Sequence, residues 1–309
     1  MTADLPMPGR PARLAVGVVS AGRVGAVLGA ALASAGHIVV GTSGVSDRSV
    51  RRAEELLPGV PLLAPDEVVR RADLVLLAVP DDALPGLVRG LAAAGALRAG
   101  QIVAHTCGAH GVSVLAPATE RGVLPLALHP VMTFTGRAED VVRLAACGFG
   151  VTALDEPGWS VGEALVVEMG AEPVRVPEAA RPLYHAALAH GANHLAVLVR
   201  DAADALRRSG IEWGGVGSPE RMLGPLLSAA LDNALRHGDR ALTGPVARGD
   251  VDTVEAHLRV LDEQAPELAQ SYRAMARRTA VRAAAAGLVD ADTADAVRAA
   301  LYDNSEADR

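Results

Sequence analysis

LAVGVVSAGRVGAVLGAALASAGHIVVGTS, Leu14 to Ser43, carries the clearest structural signal in the chain. The apolar run from Leu14 to Val19 reads as a strand and Ser20 to Gly22 as a turn. The Ala/Leu/Val pattern from about Arg23 to Ala35 reads as a helix, and the run from His37 as a second strand. Strand, turn, helix and strand make the first βαβ unit of a dinucleotide-binding fold. In S-A-G-R-V-G, Ser20 stands where the fingerprint G-x-G-x-x-G has its first glycine, while Gly22 and Gly25 keep the second and third. The second glycine lets backbone approach a pyrophosphate, and the third lets the helix pack close on the strand. The pyrophosphate would rest on the N–H groups at the helix start, where the dipole favours negative charge. Ser20, Ala21, Gly22, Arg23, Val24 and Gly25 are therefore candidate cofactor contacts. The flanking strands and helix supply the context that a lone glycine fingerprint lacks.

The segment after the second strand is GTSGVSDRSVRRAEELLPG. An NAD-preferring fold places Asp or Glu about twenty residues beyond the fingerprint, on the ribose 2′-hydroxyl. Here stand Thr42 and Ser43, followed by Ser46, Arg48, Arg51 and Arg52. Short hydroxyls and arginines suit a 2′-phosphate, so NADP is the expected cofactor, with Thr42, Ser43, Ser46 and Arg48 as contacts. Asp47 leaves NAD as the second choice. The blander reading of this segment is a solvated helix start.

Asp66 to Ala72 reads as a short helix, and Asp73 to Val79 as a strand buried on both faces, broken by Pro80. Such strand ends line the ligand crevice of an open α/β sheet, which makes Val79 and Pro80 cofactor candidates. Two more strands end in histidine: Gln101 to about His105, followed by Thr106 and Cys107, and Leu124 to Leu128, followed by His129 and Pro130. Strand, helix and strand follow over Gly148 to Val176. Beyond Pro177 the pattern turns helical, with a long helix from Pro182 to Ser209 and four more near Pro219 to His237, Val251 to Gln264, Pro266 to Ala286 and Asp292 to Tyr302. The expected fold is α/β: an N-terminal Rossmann-type doubly wound sheet over 14–177, then an all-α C-terminal domain over 178–303. A flexible arm over 1–13 and a frayed tail over 304–309 complete the plan.

The chain has 309 residues, 50% of them hydrophobic, enough for two cores. Its net charge of −7 and a pI near 5.7 do not suit a nucleic-acid or membrane surface. No apolar run of about twenty residues suggests a membrane span. The proline-bearing first thirteen residues do not read as a signal peptide. Two cysteines, Cys107 and Cys147, fit a reducing cytoplasm. All 29 basic side chains are arginine. Without lysine, Schiff-base chemistry and the lysine acid of many hydride-transfer enzymes are excluded.

An NADP domain followed by a helical domain predicts substrate near the nicotinamide at the sheet's C-terminal edge. The sheet offers His105, Thr106, Cys107, His129 and Thr133. The long helix begins RPLYHAALAHGANHL, where His185 and Asn193 lie about 80° apart around the axis. A histidine can donate the proton that accompanies hydride delivery, and an asparagine can hold the substrate's heteroatom. His185, Asn193, Thr106 and His129 are the catalytic candidates. Each histidine has a structural reading as well, and Tyr184 reads as packing. His185, His190 and His194 give only one i, i+4 pair and no nearby carboxylate, so no metal is expected. Cys107 shows no paired base and reads as a small polar turn residue near substrate. The link ALDNALRHGDRALTGPVARGD carries Asn233, Thr243 and Arg248, of which Thr243 and Arg248 suit a substrate carboxylate. Its other reading is a loop held by its own bonds, with Asp250 capping the next helix.

AGRVG, LLAVPDDAL, HTCG, LHPVMTF, YHAALAHGANHL and LTGPVARGD, in that order, resemble the bacterial Rossmann-like proteins whose C-terminal half is domain of unknown function 2520. The resemblance spans roughly Leu14 to Ala285. That group is similar to pyrroline-5-carboxylate and ketopantoate reductases, within the 6-phosphogluconate dehydrogenase C-terminal-like superfamily. The resemblance implies NADP-linked reduction, a homodimer through the helical domain, and ketopantoate (2-dehydropantoate) as a first substrate guess. Ser20 and Cys107 depart from the family pattern, the latter standing where relatives usually have serine. The helix lysine of ketopantoate and hydroxyacid reductases is absent, so His185 or water must supply the proton. The expected protein is thus a cytoplasmic, dimeric, NADP-dependent reductase of a C=O or C=N bond in a small carboxylate. The alternatives are an NADP-binding sensor or scaffold without chemistry, and a deazaflavin/NADP oxidoreductase.

Overall fold

The computed structural model describes residues 13–211 and 217–302. The arm expected over 1–13, apart from Arg13, and the tail over 304–309 lie outside the described residues. Arg13 itself donates to the carbonyl of Ala35.

Seven strands form one sheet: β1 (Ala15–Val19), β2 (Ile38–Thr42), β3 (Leu74–Leu77), β4 (Ile102–His105), β5 (Leu124–Pro130), β6 (Gly148–Ala153) and β7 (Glu172–Arg175). Their order is β2-β1-β3-β4-β5-β6-β7. The first five are parallel; β6 runs antiparallel to β5, and β7 parallel to β6. The chain leaves β1 toward β2 on one side and β3 on the other. That reversal opens a crevice at the carboxyl ends of β1 and β3, where ligands bind in such sheets. The apolar run of β3 is buried throughout because helices cover both faces.

On one face α1 (Arg23–Ser34) packs in a core containing Leu28, Leu76, Leu126, Phe149 and Leu165, the last from α7 (Glu156–Glu168). On the other, Val69, Leu84, Val88 and Leu115 pack against Val75, Leu77 and Val103. These come from α3 (Pro65–Arg71), α4 (Leu84–Ala93) and the turn before α5 (Ala116–Thr119). The helices α2 (Asp47–Leu56) and α6 (Ala138–Arg143) flank β2 and β5 in sequence. Gly25 explains how α1 comes so near the strand: a Cβ there would collide with the carbonyl oxygen of Ser20.

The chain divides into two compact units, Met1–Gly191 and Ala192–Arg309. The division falls inside the long helix α8 (Arg181–Arg208) and not at Pro177, because the first turns of α8 are built into the sheet unit. The second unit is helical, with α9 (Pro219–His237), α10 (Pro245–Arg248), α11 (Val251–Gln264), α12 (Pro266–Ala285) and α13 (Ala291–Ala300). Its core gathers Val246, Val254, Leu258, Ala276, Ala280, Val297 and Leu301. Among the described residues no helix is long and apolar enough to cross a membrane.

Candidate functional site

Two clusters stand on the carboxyl edge of the parallel strands. The first is the turn between β1 and α1. Ser20 has φ +79°, and among the described residues it is the one non-glycine with positive φ, so it adopts the backbone shape that the usual glycine supplies. Ser43 holds it there: its Oγ accepts the Ser20 N–H at 2.9 Å and its carbonyl accepts the Ala21 N–H at 2.6 Å. Helix α1 has Gly22 at its N-cap position, with no side-chain cap and no acid in its first turn. Its first N–H groups therefore lack a side-chain partner, and a Cβ at Gly22 would meet nothing nearer than Ser20 Oγ at 3.4 Å. That turn has the shape and polarity to take a pyrophosphate.

The expected role of the Thr42 side chain needs correction, while the Ser43 and Ser46 hydroxyls are engaged within the protein. Thr42 is wholly buried and its hydroxyl donates to the Val18 carbonyl at 3.0 Å, so its side chain cannot reach a ribose phosphate. The Ser43 hydroxyl serves the turn. Ser46 caps α2, exchanging hydrogen bonds with Ser49. Arg48 is exposed on α2. Arg52 donates to the Ala21 carbonyl at 3.3 Å and packs with Arg23 against Gly136, in the loop after β5. The sequence shows Arg52 only as one of a run of arginines; helix phase, which puts it on the turn side of α2, singles it out.

The second cluster joins Thr106, Cys107 and Gly108 after β4, His129 on β5, and Tyr184 and His185 on α8. His129 Nδ1 lies 2.8 Å from the Tyr184 hydroxyl. The rings of His129 and His185 meet edge to face at 5.8 Å between centroids. Gly108 is the floor between them: a Cβ there would clash with the His185 ring and lie 2.9 Å from His129 Nε2. Burial, aided by the charge of Arg181 and by His185, lowers the His129 pKa to about 4. Burial pushes the Cys107 thiol up, which disfavours the thiolate that a nucleophile needs. The Cys107 Sγ lies 3.7 Å from the carbonyl of Val79, two residues beyond β3, so Val79 borders this cluster.

Thr106, Cys107 and His129 were expected on the sheet side and His185 on the helical side; His129 and His185 meet beside Gly108, next in the chain to Thr106 and Cys107. His105 was also a candidate, which the structure removes. That ring is wholly buried, with Nε2 on the Gly111 carbonyl at 2.9 Å and Nδ1 receiving the Cys107 N–H at 3.2 Å. It folds the HTCG turn. Arg181 was missed altogether. Its guanidinium is fully buried and donates to the carbonyls of Cys107, Gly108, Ala127 and Gly150 and to Thr152 Oγ1. No sequence pattern marks a lone arginine at a helix entry for such a place. Tyr184, read as packing, has a polar partner in His129.

Thr133 is exposed in the loop after β5. Asn193, Asn233, Thr243 and Arg248 belong to the second unit, all exposed. Arg248 donates to Asp250 at 2.8 and 3.1 Å, so the pair occupies each other. Asp250 stands at the N-cap position of α11 but makes no side-chain cap bond.

Known proteins show the same two-part plan. The model of a Rossmann-like domain matches residues 3–130, and that of domain of unknown function 2520 matches residues 147–279. No curated protein matches. Among solved structures, BF3122 of Bacteroides fragilis, a candidate NADP oxidoreductase, superposes with a TM-score of 0.72 at 19% identity, over 86% of this chain and 98% of that one. Protein TM1727 of Thermotoga maritima gives 0.62 at 18%, over 87% and 98%. The pyrroline carboxylate reductase of Plasmodium falciparum, with NADP bound, gives 0.55 at 11%, over 94% and 98%. At such identities the likeness is one of fold. The two domain models, taken in order along nearly the whole chain, show that it belongs to the proteins that join a Rossmann-like domain to a C-terminal domain of unknown function 2520.

Proposed function

We propose that this protein is an NADP-dependent oxidoreductase that reduces a C=O or C=N bond of a small carboxylate, with 2-dehydropantoate as the first substrate to try. One observation carries the reading: the fingerprint turn after β1 and the His129–His185 pair stand on the same carboxyl edge of one parallel sheet. The fold neighbours named for NADP or for pyrroline carboxylate reduction lend it support.

When bound, NADPH supplies the hydride. The Ser20–Gly25 turn would hold the pyrophosphate, and Arg48 and Arg52 the 2′-phosphate. His129 and His185 would bind the oxygen or nitrogen of the bond being reduced, and His185 would give it the proton that balances the hydride. Two unpaired cysteines suit a reducing cytoplasm. We assign a homodimer to the helical unit, because α9 buries only Pro219 and Leu223 and leaves Leu226 and Leu235 64% and 80% exposed. A helix so bare of cover calls for a partner surface.

The test is NADPH and NADH oxidation against a panel of 2-ketoacids and cyclic imines, with 2-dehydropantoate included. Turnover with NADPH preferred is the expected result. Binding of NADPH without turnover across the panel would make the protein a cofactor-binding sensor. Light scattering checks the dimer.

A further inference from the structure

Arg181 is fully buried, and among the described residues no carboxylate lies within ion-pair range of it. Glu178, one turn earlier, is turned away to the backbone N–H groups of Val112 and Ser113 at 2.7 and 3.2 Å. The Glu178 charge favours the guanidinium without pairing with it, and a buried cation with no directly bound carboxylate is costly unless each N–H finds an acceptor. Arg181 meets that demand with oxygens from three neighbouring segments: Cys107 and Gly108 after β4, Ala127 of β5, and Gly150 and Thr152 of β6. A sheet core could have been closed with an apolar side chain at lower cost. The charge therefore asks for a use.

Its surroundings suggest one. The guanidinium carbon lies 5.7 Å from the centroid of the Tyr184 ring, and the Tyr184 hydroxyl is 2.8 Å from His129 Nδ1. Burial raises the Tyr184 pKa, so the hydroxyl keeps its proton. The Arg181 charge acts on the Tyr184 phenol across that distance, and such a field favours the hydroxyl oxygen turned toward the cation and the proton away from it, toward Nδ1. A neutral imidazole that accepts at Nδ1 carries its own proton on Nε2. That nitrogen is the one beside Gly108, on the candidate site.

We propose that Arg181 is a positioning residue for His129: through Tyr184 it fixes the imidazole as an Nε2–H hydrogen-bond donor facing the site. The inference deepens the reductase reading, and rests on it only for what the donor meets, the oxygen or nitrogen of the bond being reduced. A neutral imidazole can polarise such a bond without surrendering a proton, which leaves proton delivery to His185. The charged and titratable groups facing His129 are Arg181 and His185 from α8, which lower its pKa, Asp81 from the turn after β3, which raises it, and Tyr184 at Nδ1. From the turn after β4 and from β6 it meets Gly108 and Gly150.

The experiment is nitrogen-15 NMR of the imidazoles in the full-length protein, with the His129 signals assigned by their loss in His129→Gln. In the native chain His129 should hold the Nε2–H tautomer from pH 8 down to pH 5. Arg181→Gln should raise its protonated fraction at pH 5 from about a tenth toward about a half, the effect of a pKa raised by roughly one unit. Tyr184→Phe, which removes one oxygen and keeps the ring, should let the tautomer redistribute to Nδ1–H, and it carries the test if Arg181→Gln does not fold. A native Nδ1–H tautomer, a histidine titrating in its ordinary range, or a tautomer indifferent to Tyr184→Phe would overturn the proposal. The readout needs no substrate: an inactive enzyme with the expected tautomer would sink the reductase reading and spare this one.

Discussion

The backbone N–H of Ser20 donates to Oγ of Ser43 at 2.9 Å, and that bond ties the end of β2 to the turn before α1. It lets a serine keep φ at +79°, a conformation costing about 1 kcal/mol or more for a residue with a Cβ. Ser43→Ala should therefore loosen the turn and weaken NADPH binding by about tenfold, near 1.4 kcal/mol, while the circular dichroism of the fold is unchanged. Ser20→Gly should act in the opposite sense, raising the melting temperature by about 1–2 °C. Calorimetric titration and thermal melts of both variants decide the matter; equal Kd values in Ser43→Ala and wild type would detach Ser43 from the cofactor.

Arg52 reaches the Ala21 carbonyl and Arg48 is exposed on the same helix. If they read the 2′-phosphate, Arg52→Ala and Arg48→Ala should each raise the KM for NADPH by about tenfold and leave that for NADH nearly unmoved, since a charge-assisted contact contributes about 1.5–3 kcal/mol. A parallel loss for both cofactors would place the arginines in the turn's structure and not in its selectivity.

His185→Ala should lower kcat by about a hundredfold with NADPH affinity intact. Gly108→Ala offers a second route to the same place. The new methyl group must push the His185 ring aside, so turnover should fall while the sheet stays folded. A fully active Gly108→Ala enzyme would mean that neither ring needs its present position.

His105 and His129 share a pKa of about 4, each held down mainly by burial. In the unfolded chain they titrate near 6.5, so between about pH 6.5 and 4 the unfolded state binds more protons and stability falls with acid. Each histidine costs up to about 1.4 kcal/mol per pH unit across that window, and above it both states are neutral and nothing is lost. Urea melts at pH 7.5 and 5.5 should show the drop, and His105→Gln should shrink it.

Much of the plan was legible because it rests on local pattern. The strand–turn–helix around Ser20 to Gly25 is written in apolar runs and small residues, and the helix after Pro182 in its start and stop signals. What sequence could not show was where side chains turn. Thr42 sits at the expected position with its hydroxyl facing the strand behind it. His105 and His129 both end strands, yet one ring folds a turn and the other faces the site, a difference set by the neighbouring strand and the first turn of α8. Arg181 contacts residues 29 to 74 positions away in the chain, beyond the reach of any periodicity.

The arginine cage bears on how the chain can be cut. A fragment ending at Pro177 would keep every strand of the sheet and still lose the donor that serves five oxygens on β5, β6 and the turn after β4. Unpaired buried carbonyls cost about 1–3 kcal/mol each, enough to exhaust the margin of an ordinary domain. Expressed alone, residues 13–177 should be protease-sensitive and prone to aggregate, whereas residues 13–191 should survive limited digestion. On this view the nucleotide-binding half matures only after the ribosome has released the opening turns of the helix that follows it.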